Sequence, residues 1–159
     1  MTSAALVDSG PLLALFDRSD AHHRRVANYL RAHAALRLVT TLAVLTETAA
    51  LLASRVGRGA QLDFLEWVER GGLVVAGIEP GSLRRIIEIV RKYRDLPLDF
   101  ADATLAELGE RLGVDAILTV DRDFEIYRRR GKIAFTNALA QPATAQRRTR
   151  QRRRGAADA

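Results

Sequence analysis

The chain contains no cysteine, which removes disulfides, thiolate zinc sites, iron–sulfur clusters and a cysteine nucleophile from consideration. A reducing, cytoplasmic setting fits that composition. No apolar run approaches the ~18 residues needed to cross a bilayer, and no basic segment followed by a long apolar stretch opens the sequence, so neither membrane insertion nor secretion is expected. Only nine of the 159 residues are aromatic, and no stacking platform for single-stranded nucleic acid is visible among them. The three histidines, His22, His23 and His33, form no i, i+4 pair, which leaves them a surface-helix role. There is no internal repeat. What is present, 48% apolar and 28% charged residues in a chain of this length, describes one ordinary globular domain.

The net charge of +6 is unevenly placed. Arg147, Arg148, Arg150, Arg152, Arg153 and Arg154 face a single acid, Asp158, so residues 142–159 carry +5 and the rest of the chain only +1. That segment has no apolar side chain larger than alanine and is expected to be a disordered arginine-rich tail following a folded domain of residues 1–141. Its arginines are candidate phosphate contacts.

Within the domain, apolar strands and amphipathic helices alternate. Ala4–Val7 reads as a strand ending at Asp8, and Ser9-Gly10-Pro11 opens a helix through Leu12–Phe16, with Asp8 or Ser9 as its cap. A helix from about Asp20 precedes a strand at Leu38-Val39-Thr40, and helix returns from Leu42 to Arg55. Leu62, Leu65 and Val68 recur at helical spacing until Gly71-Gly72, and Leu73–Ala76 is the third strand. Leu83, Ile86, Ile87 and Val90 form an apolar stripe, read as core with a contact surface as the alternative. A helix from about Asp99 to Leu112 stops at Gly113, and Ala116–Val120 is the fourth strand. A short helix near Phe124–Arg129 and a fifth strand at Ile133–Phe135 complete an α/β pattern without a hairpin signal. Such alternation predicts a five-stranded parallel sheet with helices on both faces.

In open parallel sheets the ligand site lies beyond the carboxyl ends of the strands. Asp8 ends the first strand and Asp121 follows the fourth, with Asp123 two residues later. Each, taken alone, also reads as a turn or cap residue. Glu47 is the only charge in LAVLTETAALLA, with apolar neighbours three before and four after, so it is expected to be partly buried and to need a cation, whether an arginine or a metal. Asp99 and Asp102 share the first turn of a helix, Asp99 as a natural N-cap. Ser9 and Thr119 adjoin these acids. Four carboxylates from four separate segments, Asp8, Glu47, Asp102 and Asp121, suggest one site, and an all-oxygen donor set selects Mg²⁺ or Mn²⁺ over softer metals. Phosphodiester hydrolysis suits such a site.

The segments VDSGPLLALFD, LTETAALL and LPLDFADATLAELGERLGVDAILTVDRDF, in this order, resemble PIN-domain ribonucleases, most nearly the VapC-like toxins, across roughly residues 6–137. The resemblance implies a PIN-like three-layer fold and a divalent-metal-dependent endoribonuclease that leaves 5′-phosphate ends. It places the family's acidic quartet on Asp8, Glu47, Asp102 and Asp121, and another acid of many relatives on Asp123, while Asp99 has no assigned counterpart. It further implies a homodimer and a small antitoxin partner. Gly10 stands where many relatives carry a hydroxyl, and the arginine tail lies outside the family pattern.

Two other readings compete. A haloacid-dehalogenase-like phosphatase needs a second Asp two positions after the first, where this chain has Gly10, and neither Lys92 nor Lys132 lies in the required context. A catalytically inactive PIN-like scaffold that binds nucleic acid or an antitoxin would have no need of the complete acidic quartet.

Overall fold

A four-residue strand, Ala4–Val7 (β1), occupies the middle of the sheet. Ala5, Leu6 and Val7 are essentially inaccessible to solvent, and a fully buried Leu or Val of this kind contributes ~1.5–3 kcal/mol. The computed structural model describes residues 3–129 and 131–140. The expected tail and its six arginines lie outside the described residues.

Helix α1 (Ser9–Phe16) follows β1 directly, then α2 (His23–Ala32), β2 (Arg37–Thr41), α3 (Leu42–Arg55) and α4 (Arg58–Trp67). A wide helical turn at Val68–Gly72, with Gly71 at φ 88°, leads into β3 (Val74–Ala76). Then come α5 (Ser82–Lys92), α6 (Phe100–Leu112) and β4 (Ala116–Leu118). The sheet order is β3-β2-β1-β4-β7, every pairing parallel, where β7 is Thr136–Asn137. The chain thus builds outward from β1 through β2 and β3, then returns to the other side of β1 with β4. That reversal leaves a crevice beyond the carboxyl ends of β1 and β4, where Asp8 and Asp121 emerge.

Helix α6 is buried along most of its length, from Ala101 through Gly109, and packs against α3, α5 and β2. One of its buried residues is Glu107, to which the sequence drew no attention. Its Oε1 accepts from the Ser82 hydroxyl at 2.9 Å and from Arg111 Nε at 3.2 Å, while Arg111 also reaches Glu79 and the Gly77 carbonyl. A buried carboxylate satisfied on several sides holds α5 and the loop before it to α6.

Two expectations near the C-terminal end of the domain are corrected. The short helix is a single 3₁₀ turn, Asp123–Glu125. Ile133–Ala134 (β6) does not enter the main sheet but pairs antiparallel with Arg128–Arg129 (β5), across a turn in which Gly131 adopts φ 70°. The fifth parallel strand is instead Thr136–Asn137, and Phe135 between the two is buried. The stripe on α5 also divides: Ile86 and Ile89 are buried, while Leu83, Ile87 and Val90 face solvent.

Candidate active site

The central residue of the crevice is Asp8, which is 4% exposed. It caps α1, its Oδ1 accepting the Ser9 N–H at 2.7 Å. Its Oδ2 accepts the Thr119 hydroxyl at 3.2 Å, and Thr119 Oγ1 in turn accepts the Asp121 N–H at 3.1 Å. One threonine therefore ties the end of β1 to the loop after β4. Asn137, which the sequence did not single out, holds that threonine: its Nδ2 donates to the Thr119 carbonyl at 3.0 Å. Its side-chain oxygen accepts the Leu139 N–H at 3.0 Å.

Two further threonines fix the neighbouring strand ends. The Thr40 hydroxyl donates to the Val7 carbonyl at 2.7 Å, just before Asp8. Thr41 caps α3 and pairs with Thr104 of α6 at 2.9 Å, joining the helix that carries Glu47 to the one that carries Asp102. Threonines in strands and helices are too common for sequence to reveal this role.

Asp99 and Asp102 form a reciprocal capping box at the start of α6. The Asp102 N–H donates to Asp99 Oδ1 at 2.8 Å, and the Asp99 N–H to Asp102 Oδ2 at a longer 3.3 Å. Asp99 is exposed and serves as the cap, as its position suggested. Ser9 contributes its backbone N–H to Asp8. Asp123 begins the 3₁₀ turn and Asp121 lies exposed at the mouth of the crevice.

Electrostatics connects these acids. Burial, chiefly, pushes the Asp8 carboxyl up from 3.8 to about 6; the Ser9 and Thr119 hydrogen bonds oppose it, and the charges of Asp121 and Glu47 add to it. Asp102 is pushed up to about 7, first by burial, then by the charges of Asp8, Asp99 and Glu47, with the Asp99 N–H opposing. Glu47, half-buried on α3, acts on both. None of Asp8, Glu47, Asp102 and Asp121 takes part in a salt bridge among the described residues. The arginine partner considered for Glu47 is thus not found there. Acids raised by burial and by neighbouring carboxylates, with no basic partner among the described residues, suit a hard divalent ion, whose charge would oppose both shifts. The side chains are not gathered into a cage: among the described residues no three acids or histidines stand close enough to hold an ion as they are. Asp8 and Asp102 are instead turned toward their capping hydrogen bonds.

Gly10 has a local cause. A Cβ there would lie 2.5 Å from Val120 Cγ2, so the space a hydroxyl side chain would need is taken by the residue that follows Thr119. Beside the acids, a cleft of about 610 Å³ runs past Glu47, Leu42, Ile78, Phe100 and Arg111.

The family model of the PIN domain matches residues 5–130. Ribonuclease VapC26 of Mycobacterium tuberculosis is 33% identical over 117 residues, covering 74% of this chain and 86% of that protein. Among solved structures, VapC20 of Mycobacterium tuberculosis, a toxin described as cleaving the sarcin-ricin loop, superposes with a TM-score of 0.69 at 23% identity, over 76% of this chain and 92% of that one. VapBC2 of Rickettsia felis, bound to a DNA fragment from its promoter, gives 0.63 at 12% identity over 82% and 96%. The sheet order, the crevice between β1 and β4 and these matches agree, and the chain belongs to the PIN-domain family, in its VapC-like branch.

Proposed function

We propose that this protein is a divalent-metal-dependent endoribonuclease toxin whose catalytic and metal-binding residues are Asp8, Glu47, Asp102 and Asp121. The observation that carries the assignment is that burial and neighbouring carboxylates raise both Asp8 and Asp102, with Glu47 acting on both, Asp121 on Asp8 and Asp8 on Asp102, and with no basic side chain paired to any of the quartet among the described residues. Membership of a nuclease family and identity to a protein named as a ribonuclease support the same reading.

In this reading Asp8, fixed by Ser9 and Thr119, is the central ligand, and Asp102 and Asp121 flank it. Glu47 on α3 orients water beside the phosphate. A Mg²⁺ or Mn²⁺ held by Asp8, Asp102 and Asp121 would activate water near neutral pH and offset charge developing on the phosphate oxygens. The product ends are 5′-phosphate and 3′-hydroxyl. Asp123 and Asp99 stand at the rim, Asp99 acting through its cap on α6.

The partners follow from surface chemistry. Leu83, Ile87 and Val90 are exposed on one face of α5, an apolar strip that suits a second copy of this chain. An antitoxin that places a basic side chain against Asp8 and Asp102 would satisfy the same charges as the metal, and the similarity to a VapBC assembly supports such a partner. No helix among the described residues is long and apolar enough to cross a membrane.

The test is RNA cleavage in the presence of Mg²⁺ or Mn²⁺. Scission abolished by chelator and restored by excess metal supports the nuclease; intact RNA under every metal condition would refute it.

A further inference from the structure

The chemistry proposed for the acidic quartet leaves the adjoining cleft without a role. The cleft lies beyond the carboxyl ends of β2 and β3, which finish at Thr41 and Ala76, and so on the same edge of the sheet as the acids at β1 and β4. At about 610 Å³ it falls within the roughly 300–1,000 Å³ of sites that enclose small organic ligands. Its polar side chains are bonded within the protein. Thr41 and Thr104 share a hydrogen bond at 2.9 Å, the Thr104 hydroxyl donates to the Ala101 carbonyl at 2.7 Å, and the Thr46 hydroxyl donates to the Leu42 carbonyl at 2.8 Å. What the cleft presents to a ligand is therefore mainly apolar: Leu42, Ile78 and Phe100 are 58%, 55% and 51% exposed. Phe100 is also the only exposed one of the nine aromatic side chains.

Two features point to the occupant. The first is continuity with the acids. Glu47 belongs to the quartet and lines the cleft, and Phe100 stands between Asp99 and Asp102 in the first turn of α6, whose start the capping box fixes. A phosphodiester held by the quartet carries a nucleoside on each side, and the one on the side of Glu47 and Phe100 is delivered to this cleft by its own covalent bond. The second is the state of the basic residue on the wall. Arg111 donates to Glu107 at 3.2 Å, to Glu79 at 2.6 Å and to the Gly77 carbonyl at 3.1 Å, so its charge is already matched by two carboxylates. A wall without a free cation among the described residues suits the flat, uncharged face of a base and not a second phosphate.

We propose that the cleft is a nucleobase subsite, in which a base adjoining the scissile phosphate stacks on the Phe100 ring, with Leu42 and Ile78 as the apolar walls. The proposal rests on the reading of the quartet as a site of RNA cleavage. One exposed ring cannot track a strand base by base, as a platform of several aromatics does, but it can hold the single base next to the bond that breaks. Stacking accepts any base face, so Phe100 supplies affinity and register at the site more than a preference for one sequence.

The experiment uses the full-length chain with Mg²⁺ and an oligoribonucleotide built around a bond that wild type cuts in mixed-sequence RNA, together with versions that carry one abasic ribose at each position flanking that bond. Phe100→Leu stays apolar but has no aromatic face. It should raise KM for the intact oligonucleotide about 10-fold, the loss of one stacked base, with the effect falling on KM more than on kcat. At one flanking position the abasic ribose should raise KM to a similar degree for wild type and add nothing for Phe100→Leu, because ring and base are then the two halves of one contact. Phe100→Tyr keeps a stacking face and should restore the wild-type KM. Melting temperatures measured in parallel should agree, since the ring is half in solvent. A wild-type KM in Phe100→Leu, abasic penalties that add in full to its own, or a Phe100→Tyr as impaired as Phe100→Leu overturns the subsite and leaves the cleft to a protein partner. RNA left uncut by wild type overturns the nuclease reading and this inference with it.

Discussion

The Thr119 hydroxyl donates to Asp8 Oδ2 at 3.2 Å across 111 positions of sequence, and its own oxygen, Thr119 Oγ1, accepts the Asp121 N–H at 3.1 Å. A single side chain thus sets the distance between two acids of the proposed site. It also lowers the pKa of a carboxyl that burial pushes up to about 6.

Thr119→Val preserves shape and burial while removing that donor. The Asp8 carboxyl should then lie higher still, and the acidic limb of the pH–rate profile should move toward alkaline pH by about one unit, the equivalent of ~1.4 kcal/mol. Cleavage measured from pH 5.5 to 8.5 at subsaturating Mg²⁺, where rate reports the metal-free enzyme, checks this. A profile superimposable on wild type would show that the hydroxyl does not govern the ionisation of Asp8.

The metal-free protein should become less stable as pH rises. Asp8 has a folded-state pKa of about 6 against 3.8 for an ordinary Asp, so the unfolded chain gives up that proton first. The contribution of the protonated group is complete below about pH 4 and is lost as pH passes through 6; for Asp102 the loss extends to about 7. Asp8→Asn keeps the cap on α1 and removes the buried charge. It should abolish cleavage yet stabilise the metal-free protein at pH 7.5 by up to ~3 kcal/mol, an upper figure set by the displacement from 3.8 to about 6. Denaturation in chelator at pH 5 and pH 7.5 tests both halves: a variant less stable than wild type at the higher pH, or one that still cuts RNA, contradicts the assignment.

How much of this was legible in the sequence depended on whether local pattern or tertiary pairing decided the matter. Asp8 stood out because it ends an apolar run before Gly10-Pro11, and Glu47 because it is the one charge within twelve residues of helix. Asp99 was readable as a cap because the capping box is a local motif. Thr119 was noted only as a neighbour of the acids, and Asn137 not at all, because their bonds link segments 18 and 111 positions apart. Ile133-Ala134-Phe135 had the composition of a buried strand, and nothing local distinguishes joining the main sheet from folding back on Arg128–Arg129. The polar pair Thr136–Asn137 that does join it carries no strand signature. On α5 the spacing of Leu83, Ile86, Ile87 and Val90 announced a helix, but the apolar residues exceed what one buried face can take.

That excess on α5 leads to a prediction about assembly. Leu83 and Ile87 are 54% and 42% exposed, beyond what a monomer of this size needs to leave in water. Light scattering should show a concentration-dependent dimer for wild type, and Ile87→Glu should shift it to monomer with little change in melting temperature, since the side chain already contacts solvent. A wild-type protein that is monomeric at all concentrations would remove the α5 strip as a self-association surface.

The arginine-rich segment offers the most separable test, because residues 142–159 carry +5 of the chain's +6 while the acidic quartet lies wholly between residues 8 and 121. If those arginines touch RNA phosphates, they release counterions and add affinity without regard to sequence, at ~0.7 in the slope of log affinity against log salt for each phosphate of a single strand. Removing Gln146 to Ala159 deletes six arginines and should flatten that slope by up to about 4 while raising KM at low salt. The maximal cleavage rate should change little, since no proposed ligand of the metal is lost. Filter binding of single-stranded RNA between 50 and 300 mM salt, with Asp8→Asn used to prevent cleavage, reads the slope directly. An unchanged low-salt affinity would show that RNA recruitment resides in the folded domain, and a lost cleavage rate with intact affinity would mean that the segment supports the fold or the site instead.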